Sequence, residues 1–395
     1  VDPALIDWFS LLLRWFHVIV GIMWIGSSLF FHWLDSSLEK PDPPEEGLDG
    51  TLWMVHSGGF YDVKKKHLQP HELPPVLHWF RYEALFTWIS GILLLGVVYY
   101  LGGGAYLLDR EIADLTVLQA AGITTAVLVG GWFVYDGIWR SPLARQPVLA
   151  IGLCFALVVV SAWGFGQLYS GRAAFLHVGA LLGTCMVANV WLRIVPAQAE
   201  LLAATRAGRK QDPAIGLGAK TRSRHNHYMT YPIVFIMIST HYPQTYGGPW
   251  AWLVLAILFF AGAVAKYLAN LVEHSPRWFG ALALLAAVTV AVVYALTAAP
   301  RTVSAASAAH VEWAQVQPIV QARCASCHAD HPTDDVFTAP PGGVALDTLD
   351  RVRAMAPRIR ERAVVQATMP LGNKTGMTTE ERALLGAWID GGLAE

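Results

Sequence analysis

Charge is scarce in this chain. Only 14% of its 395 residues are Asp, Glu, Lys or Arg, and the formal net charge is -1. This balance excludes the basic surface on which nucleic-acid binding depends. Cysteine is rarer still: there are four, and Cys154 and Cys185 stand alone in apolar runs, where they read as packing residues. A disulfide framework is therefore excluded. A second C-x-x-C pair is missing as well, which removes the common zinc arrangement. Apolar surface takes the place of charge. Hydrophobic residues make up 54% of the chain, and its 16 tryptophans suit rings seated at a lipid–water interface.

A spanning helix needs about 20 mostly apolar residues. Stretches meeting that demand are Trp8–Leu34, Leu77–Leu101, Leu115–Trp139, Val148–Tyr169, Ala173–Val195, Tyr228–Tyr246, Trp250–Val272 and Trp278–Leu296. The sixth is the shortest and carries Pro232 and Pro243. The first is too long for a cleavable signal, contains Arg14 and His17, and lacks a basic leader. The loops after the odd-numbered spans hold Lys40, Lys64, Lys65, Lys66, Arg140, Arg145, Arg206, Arg209, Lys210, Lys220, Arg222, Arg224 and Arg277. The opposite loops offer only Arg110 and Arg172. The positive-inside rule makes the richer face cytoplasmic and puts both termini outside. The sequence thus predicts an all-α protein: an eight-helix transmembrane bundle over 1–297, a linker over 298–309, and a small helical unit over 310–395.

That last unit contains Cys324-Ala325-Ser326-Cys327-His328. Two thiols at this spacing can each form a thioether to one porphyrin, and the adjacent imidazole reaches the iron. The motif predicts one covalent haem c in a class I-like cytochrome c domain, held by Cys324, Cys327 and His328. Met369, on a loop, is the expected sixth ligand, because a thioether raises the potential of an electron-accepting haem; Met377 and Met355 are its rivals. Val311, Trp313, Val316, Ile319 and Val320 mark a short helix leading into the motif, and Glu380–Leu393 a closing amphipathic one. Bacterial haem c is attached outside the inner membrane, and loop charge places Cys324 in that periplasmic compartment.

Histidines recur within the apolar segments. His17 and His32 lie 15 residues apart on the first span, and His227 and His241 lie 14 apart around the sixth. At 1.5 Å per residue each pair is separated by about 21–23 Å and returns towards one face. Because the two helices are antiparallel, His17 and His241 share an outer layer, and His32 and His227 an inner one. One or two haem b groups are expected between them; His177 and His78 are rival ligands, and interfacial histidines need no metal at all. Arg81, Glu83, Asp136, Arg193, Lys266, Asn189 and Asn270 gather in the inner half. Charges at that depth pair with one another, as Arg81 with Asp136, or line a wet pocket. The aromatic, glycine-marked loop Gly50–Pro75 reads as a lid over such a pocket.

Several segments carry a family resemblance: Arg14-Trp15-Phe16-His17 with Trp24-Ile25-Gly26, His56-Ser57-Gly58-Gly59-Phe60-Tyr61, Leu77-His78-Trp79-Phe80-Arg81-Tyr82-Glu83, Phe175-Leu176-His177-Val178-Gly179, Arg224-His225-Asn226-His227-Tyr228 and Met237-Ile238-Ser239-Thr240-His241-Tyr242-Pro243. Together they resemble the integral-membrane urate oxidases, or urate hydroxylases, that carry a C-terminal cytochrome c. The resemblance spans nearly the whole chain. It implies oxidation of urate to 5-hydroxyisourate, with electrons passed to a soluble cytochrome c or a terminal oxidase. For such a substrate Arg81 suits an anion clamp, Glu83, His78 or His225 a base, and Asn226 a purine-edge contact. Membrane lipid is the other expected partner.

Overall fold

The computed structural model describes residues 3–101, 104–109, 111–298 and 311–394. Most of the expected linker, and His310, lie outside them. Among the described residues the helices are α1 (Pro3–Ser37), α2 (Tyr82–Leu95), α3 (Val117–Arg140), α4 (Pro147–Gly166), α5 (Gly171–Asn189), α6 (Val195–Arg206), α7 (Pro213–Ser239), α8 (Ala251–His274) and α9 (Phe279–Thr297), followed by α10 (Trp313–Val320), α11 (Leu349–Ile359) and α12 (Thr379–Asp390).

Among the described residues, seven helical stretches are long and apolar enough to cross a membrane: Trp8–Ser37, Tyr82–Tyr100, Val117–Arg140, Pro147–Gly166, Gly171–Arg206, Ala251–Val272 and Pro276–Thr297. The eighth expected span is not among them. α7 begins 15 residues before that segment and ends at Ser239, short of Tyr246. Its first half is polar, with Lys220, Arg222, Arg224, His225 and Asn226, which dilutes its hydropathy. It nonetheless runs antiparallel between α5 and α8. Gly179 of α5 meets Ile236, and Gly262 of α8 meets Pro232, two places where a β-carbon would crowd the neighbour. Small residues at such crossings let helices approach closely.

The all-α expectation fails in one place. The stretch expected to be a loop folds into an antiparallel hairpin, β1 (Leu48–His56) with β2 (Gly59–Lys66), in a register pairing Trp53 with Asp62 and Val55 with Phe60. β-branched and aromatic residues at alternating positions favour a strand, and Ser57-Gly58 supplies the turn at positive φ. Lys65 and Lys220 both bond Asp35, which ties the hairpin base to the ends of α1 and α7. This end of the bundle is called lower here.

Two π segments re-register the bundle helices. Gly96–Tyr100 extends α2, and Val190–Ile194 joins α5 to α6. In the upper half His177, fully buried, sits 2.7 Å from the Ala173 carbonyl and 2.8 Å from the Tyr100 hydroxyl. Tyr100 reaches Thr124 at 2.7 Å, Thr124 reaches Tyr169 at 2.9 Å, and Tyr169 donates to the Ala120 carbonyl. One polar chain thereby joins α2, α3 and α5 to the turn after α4.

The C-terminal unit has its own core, with Val316, Val352, Met377, Leu385 and Trp388 fully buried. The expected closing helix is present as α12, capped by a Thr378–Glu381 box. The unit rests on the upper end. Phe337 packs edge-on against Tyr106 at 6.2 Å, and Asn373 bonds Glu111. Gly372 has φ +55°, and a β-carbon there would lie 2.2 Å from the Leu108 carbonyl. The Gly372→Val variant should therefore lift the unit off the bundle while leaving its core intact. Cross-linking between cysteines introduced on the two surfaces should fall sharply; undiminished cross-linking would contradict the contact.

Candidate functional site

Three groups of side chains require a chemical account. In the first, α10 continues through a π segment, Gln321–Ala325, that carries Cys324 into the core of the C-terminal unit. Burial, then the neighbouring Cys327, pushes the Cys324 thiol up to about 11. A reactive dithiol needs the opposite shift, so these thiols do not resemble a disulfide-exchange pair. His328 Nδ1 lies 2.8 Å from the Val344 carbonyl, a bond that fixes the ring and leaves Nε2 as the nitrogen that could bind a metal. Met369 packs against the same core as Cys324, and its carbonyl accepts a bond from Arg382 at 2.6 Å. Met377 is wholly enclosed as core. Two neutral thiols, an imidazole oriented by its Nδ1 bond, and a thioether on the core that also takes Cys324 are a donor set that fits a covalent haem.

The second group lies in the lower half, at the π segment Val190–Ile194. Asn226 donates to the Met186 carbonyl at 2.9 Å, and its own Oδ1 accepts from Asn189 at 2.9 Å. Asn189 also donates to the Tyr135 hydroxyl at 3.0 Å, and that hydroxyl lies 2.7 Å from His225 Nδ1. The Trp139 ring covers His225 at 4.1 Å. One residue along from Tyr135, the buried Asp136 carboxylate receives Arg193 Nε at 2.8 Å and Arg222 Nη2 at 2.8 Å.

Asp136 therefore does not pair with Arg81. Arg81 instead stands among Trp79, Tyr82 and Trp191, its guanidinium 5.3, 5.1 and 5.5 Å from their ring centres. Two arginines on α7 and the π segment reach Asp136 first, which linear depth could not reveal. Of the five expected substrate residues, the structure brings His225 and Asn226 into one cluster. Arg81 and Glu83 sit at the start of α2, and His78 is exposed just before it. An open cleft of about 570 Å³ beside Trp79 is lined by Ala199, Leu202, Ala203, Arg206 and Ala207, and offers no acid–base pair. Tyr135 was missed because a tyrosine inside an apolar run gives no signal of its own.

The histidines form the third group. His32 and His227 do meet, their rings stacked 3.6 Å apart and 8° from parallel. Two ligands of one haem iron approach it through ring nitrogens from opposite sides of a macrocycle, and faces at this separation leave no room for one. The other pair is not brought together. His17 bonds Ser90 of α2 at 2.9 Å, whereas His241 is exposed in the turn after α7. As packed, these four residues do not frame haem b.

Fold and site define a helical bundle with membrane-length apolar helices, a buried polar interior and an appended unit bearing the C-x-x-C-H motif. The urate oxidase N-terminal family model matches residues 3–298, and the chain belongs to that family. Membership ties the bundle to urate chemistry and to the oxidoreductases. No curated protein and no solved structure matches the chain.

The Asp136 cluster yields a stability test. Removing one partner from a buried ion pair costs about 3–5 kcal/mol. Asp136→Ala should lower unfolding free energy in detergent by about 3 kcal/mol or more. Arg140→Ala, an exposed side chain 3.8 Å from Asp136, should change it by less than about 1 kcal/mol. Equal effects would refute the assignment of Arg193 and Arg222 as the pairing cations.

Proposed function

We propose that the chain is a membrane urate oxidase that delivers electrons to a haem c on its own C-terminal unit. The observation that carries this reading is the docking of that unit on the family-matched bundle, through Phe337, Gly372 and Asn373 against Tyr106, Leu108 and Glu111. Urate and water give 5-hydroxyisourate, two electrons and two protons. Haem c, when bound, takes those electrons singly, so oxygen need not be the direct acceptor. Cys324 and Cys327 would anchor it, and His328 and Met369 would hold its iron. A soluble cytochrome c or a terminal oxidase would then collect the electrons.

Loop charge supports a cytoplasmic lower end and an outer, periplasmic upper end. Counting α7 as an eighth crossing is supported by its packing between α5 and α8, and it puts α1's start and α9's end on one side. In a bacterial inner membrane the C-terminal unit would then face the compartment where haem c is attached.

The test uses the purified chain and its Cys324→Ala/Cys327→Ala variant. The parent should reduce external ferric cytochrome c when given urate, and the variant should lose that activity by at least about 100-fold with the bundle still folded. An unchanged rate in the variant would contradict the proposed exit. A parent that turns over no urate would instead favour an anchoring and electron-carrying subunit for a separate dehydrogenase.

A further inference from the structure

Resting on the reading that His328 and Met369 hold a haem iron, we infer that the bundle itself secures the sixth ligand: Glu111 grips the Met369 loop through Asn373 and Arg382. The loop that carries Met369 is also the surface that docks. Gly247, in the turn before α8, lies so close that a β-carbon there would stand 2.8 Å from Thr368 Cγ2 and 3.1 Å from Gln366 Cβ. Leu108 meets Gly372, and Glu111 accepts from Asn373. Bundle contacts therefore flank Met369 on both sides along the chain.

The polarity of the network can be read from its backbone ends. Asn373 is 6% exposed, and Met377 meets its amide twice. The Met377 N–H donates to Asn373 Oδ1 at 2.9 Å, and Asn373 Nδ2 donates to the Met377 carbonyl at 3.0 Å. One amide hydrogen is left, and it goes to the Glu111 carboxylate. Arg382 can only donate. Its Nη1 reaches the Met369 carbonyl at 2.6 Å and also the Ala363 carbonyl, and its Nη2 lies 3.4 Å from Asn373 Oδ1. Arg382 is 8% exposed, and the acids that most offset its burial are Glu111 and Asp109, both on the bundle. Asp109 also accepts from the Glu111 backbone N–H at 3.0 Å, which holds that acidic turn in shape.

A neutral thioether stays on a metal only while its loop is kept closed against competing donors. Here the Met369 backbone is pinned by a buried cation, and that cation is balanced from across the interface. Undocking would remove Glu111 and Asp109 together and leave Arg382 short of counter-charge. The loop would then open more readily, and Met369 with it. Arg382 and Asn373 are thus positioning residues that act through Met369. Docking and the ligand that raises the haem potential share one segment, so the docked unit is the form suited to accept electrons.

The test needs no urate turnover. It follows imidazole, a small competing ligand, binding to ferric haem c in the purified full chain. Binding displaces the thioether and abolishes its weak far-red sulfur-to-iron absorption. Glu111→Ala changes the bundle and leaves the core of the C-terminal unit untouched. It should tighten imidazole binding by about fivefold or more. Arg382→Gln should tighten it at least as far; should that variant fail to fold, Glu111→Ala decides alone. Arg360→Ala, which removes only the exposed pair with Asp390, should stay within about twofold of the parent. Because coupling is reciprocal, imidazole should also reduce cross-linking between unit and bundle in the parent. Imidazole affinity in Glu111→Ala equal to the parent's would overturn the coupling while leaving Met369 as ligand. A parent without the far-red absorption would overturn the ligand assignment itself.

Discussion

The carboxylate of Asp136 is the constraint on which the lower half of the bundle depends. It is 4% exposed in a chain that can spare few charges, and a lone anion there would be intolerable. Arg193 and Arg222 neutralise it from two different elements, and their positions fix how α3, the π segment after α5 and the first half of α7 meet. Desolvating Asp136 and Arg222 is costly, so the cluster is better understood as specifying one arrangement than as adding net stability. That arrangement brings Tyr135, Asn189, His225 and Asn226 together.

The two π segments have a shared role. An extra residue in a helical turn shifts the faces of everything beyond it, and such segments often occur where function needs an otherwise forbidden alignment. Gly96–Tyr100 introduces the Tyr100–His177 chain in the upper half; Val190–Ile194 brings Arg193 to Asp136 in the lower one. The bundle thus holds one polar layer beneath the C-terminal unit and a second at the far end.

Much of the helical layout could be read from the sequence, because lipid-length apolar runs are an unambiguous physical demand. α7 was harder. Its packing is that of a bundle helix, but its polar first half carries cluster residues that depress its hydropathy, and the same composition made its start look like a loop. The hairpin was hidden because Trp53, Phe60 and Tyr61 with Gly58 and Gly59 suggested a lid, whereas the β-branched and aromatic positions Thr51, Trp53 and Val55 favour a strand. Cys324, Cys327 and His328 stand out at once as candidates, since covalent haem attachment demands a fixed spacing. Histidine spacing was a weaker guide. It found the meeting of His32 with His227, but similar arithmetic paired His17 with His241, whereas His17 turns to Ser90 and α7 ends before His241, which stands exposed in the turn beyond. Arg222 and Tyr135 became visible only when three helices converged.

The central claim is that the bundle takes two electrons from urate and the C-terminal unit receives them. Anaerobic titration of the oxidised, purified chain with urate, followed at the haem c absorbance, tests it most directly. The account predicts full reduction at about half an equivalent of urate per haem c, with 5-hydroxyisourate formed in the same amount. Haem c that stays oxidised in the presence of excess urate would contradict it.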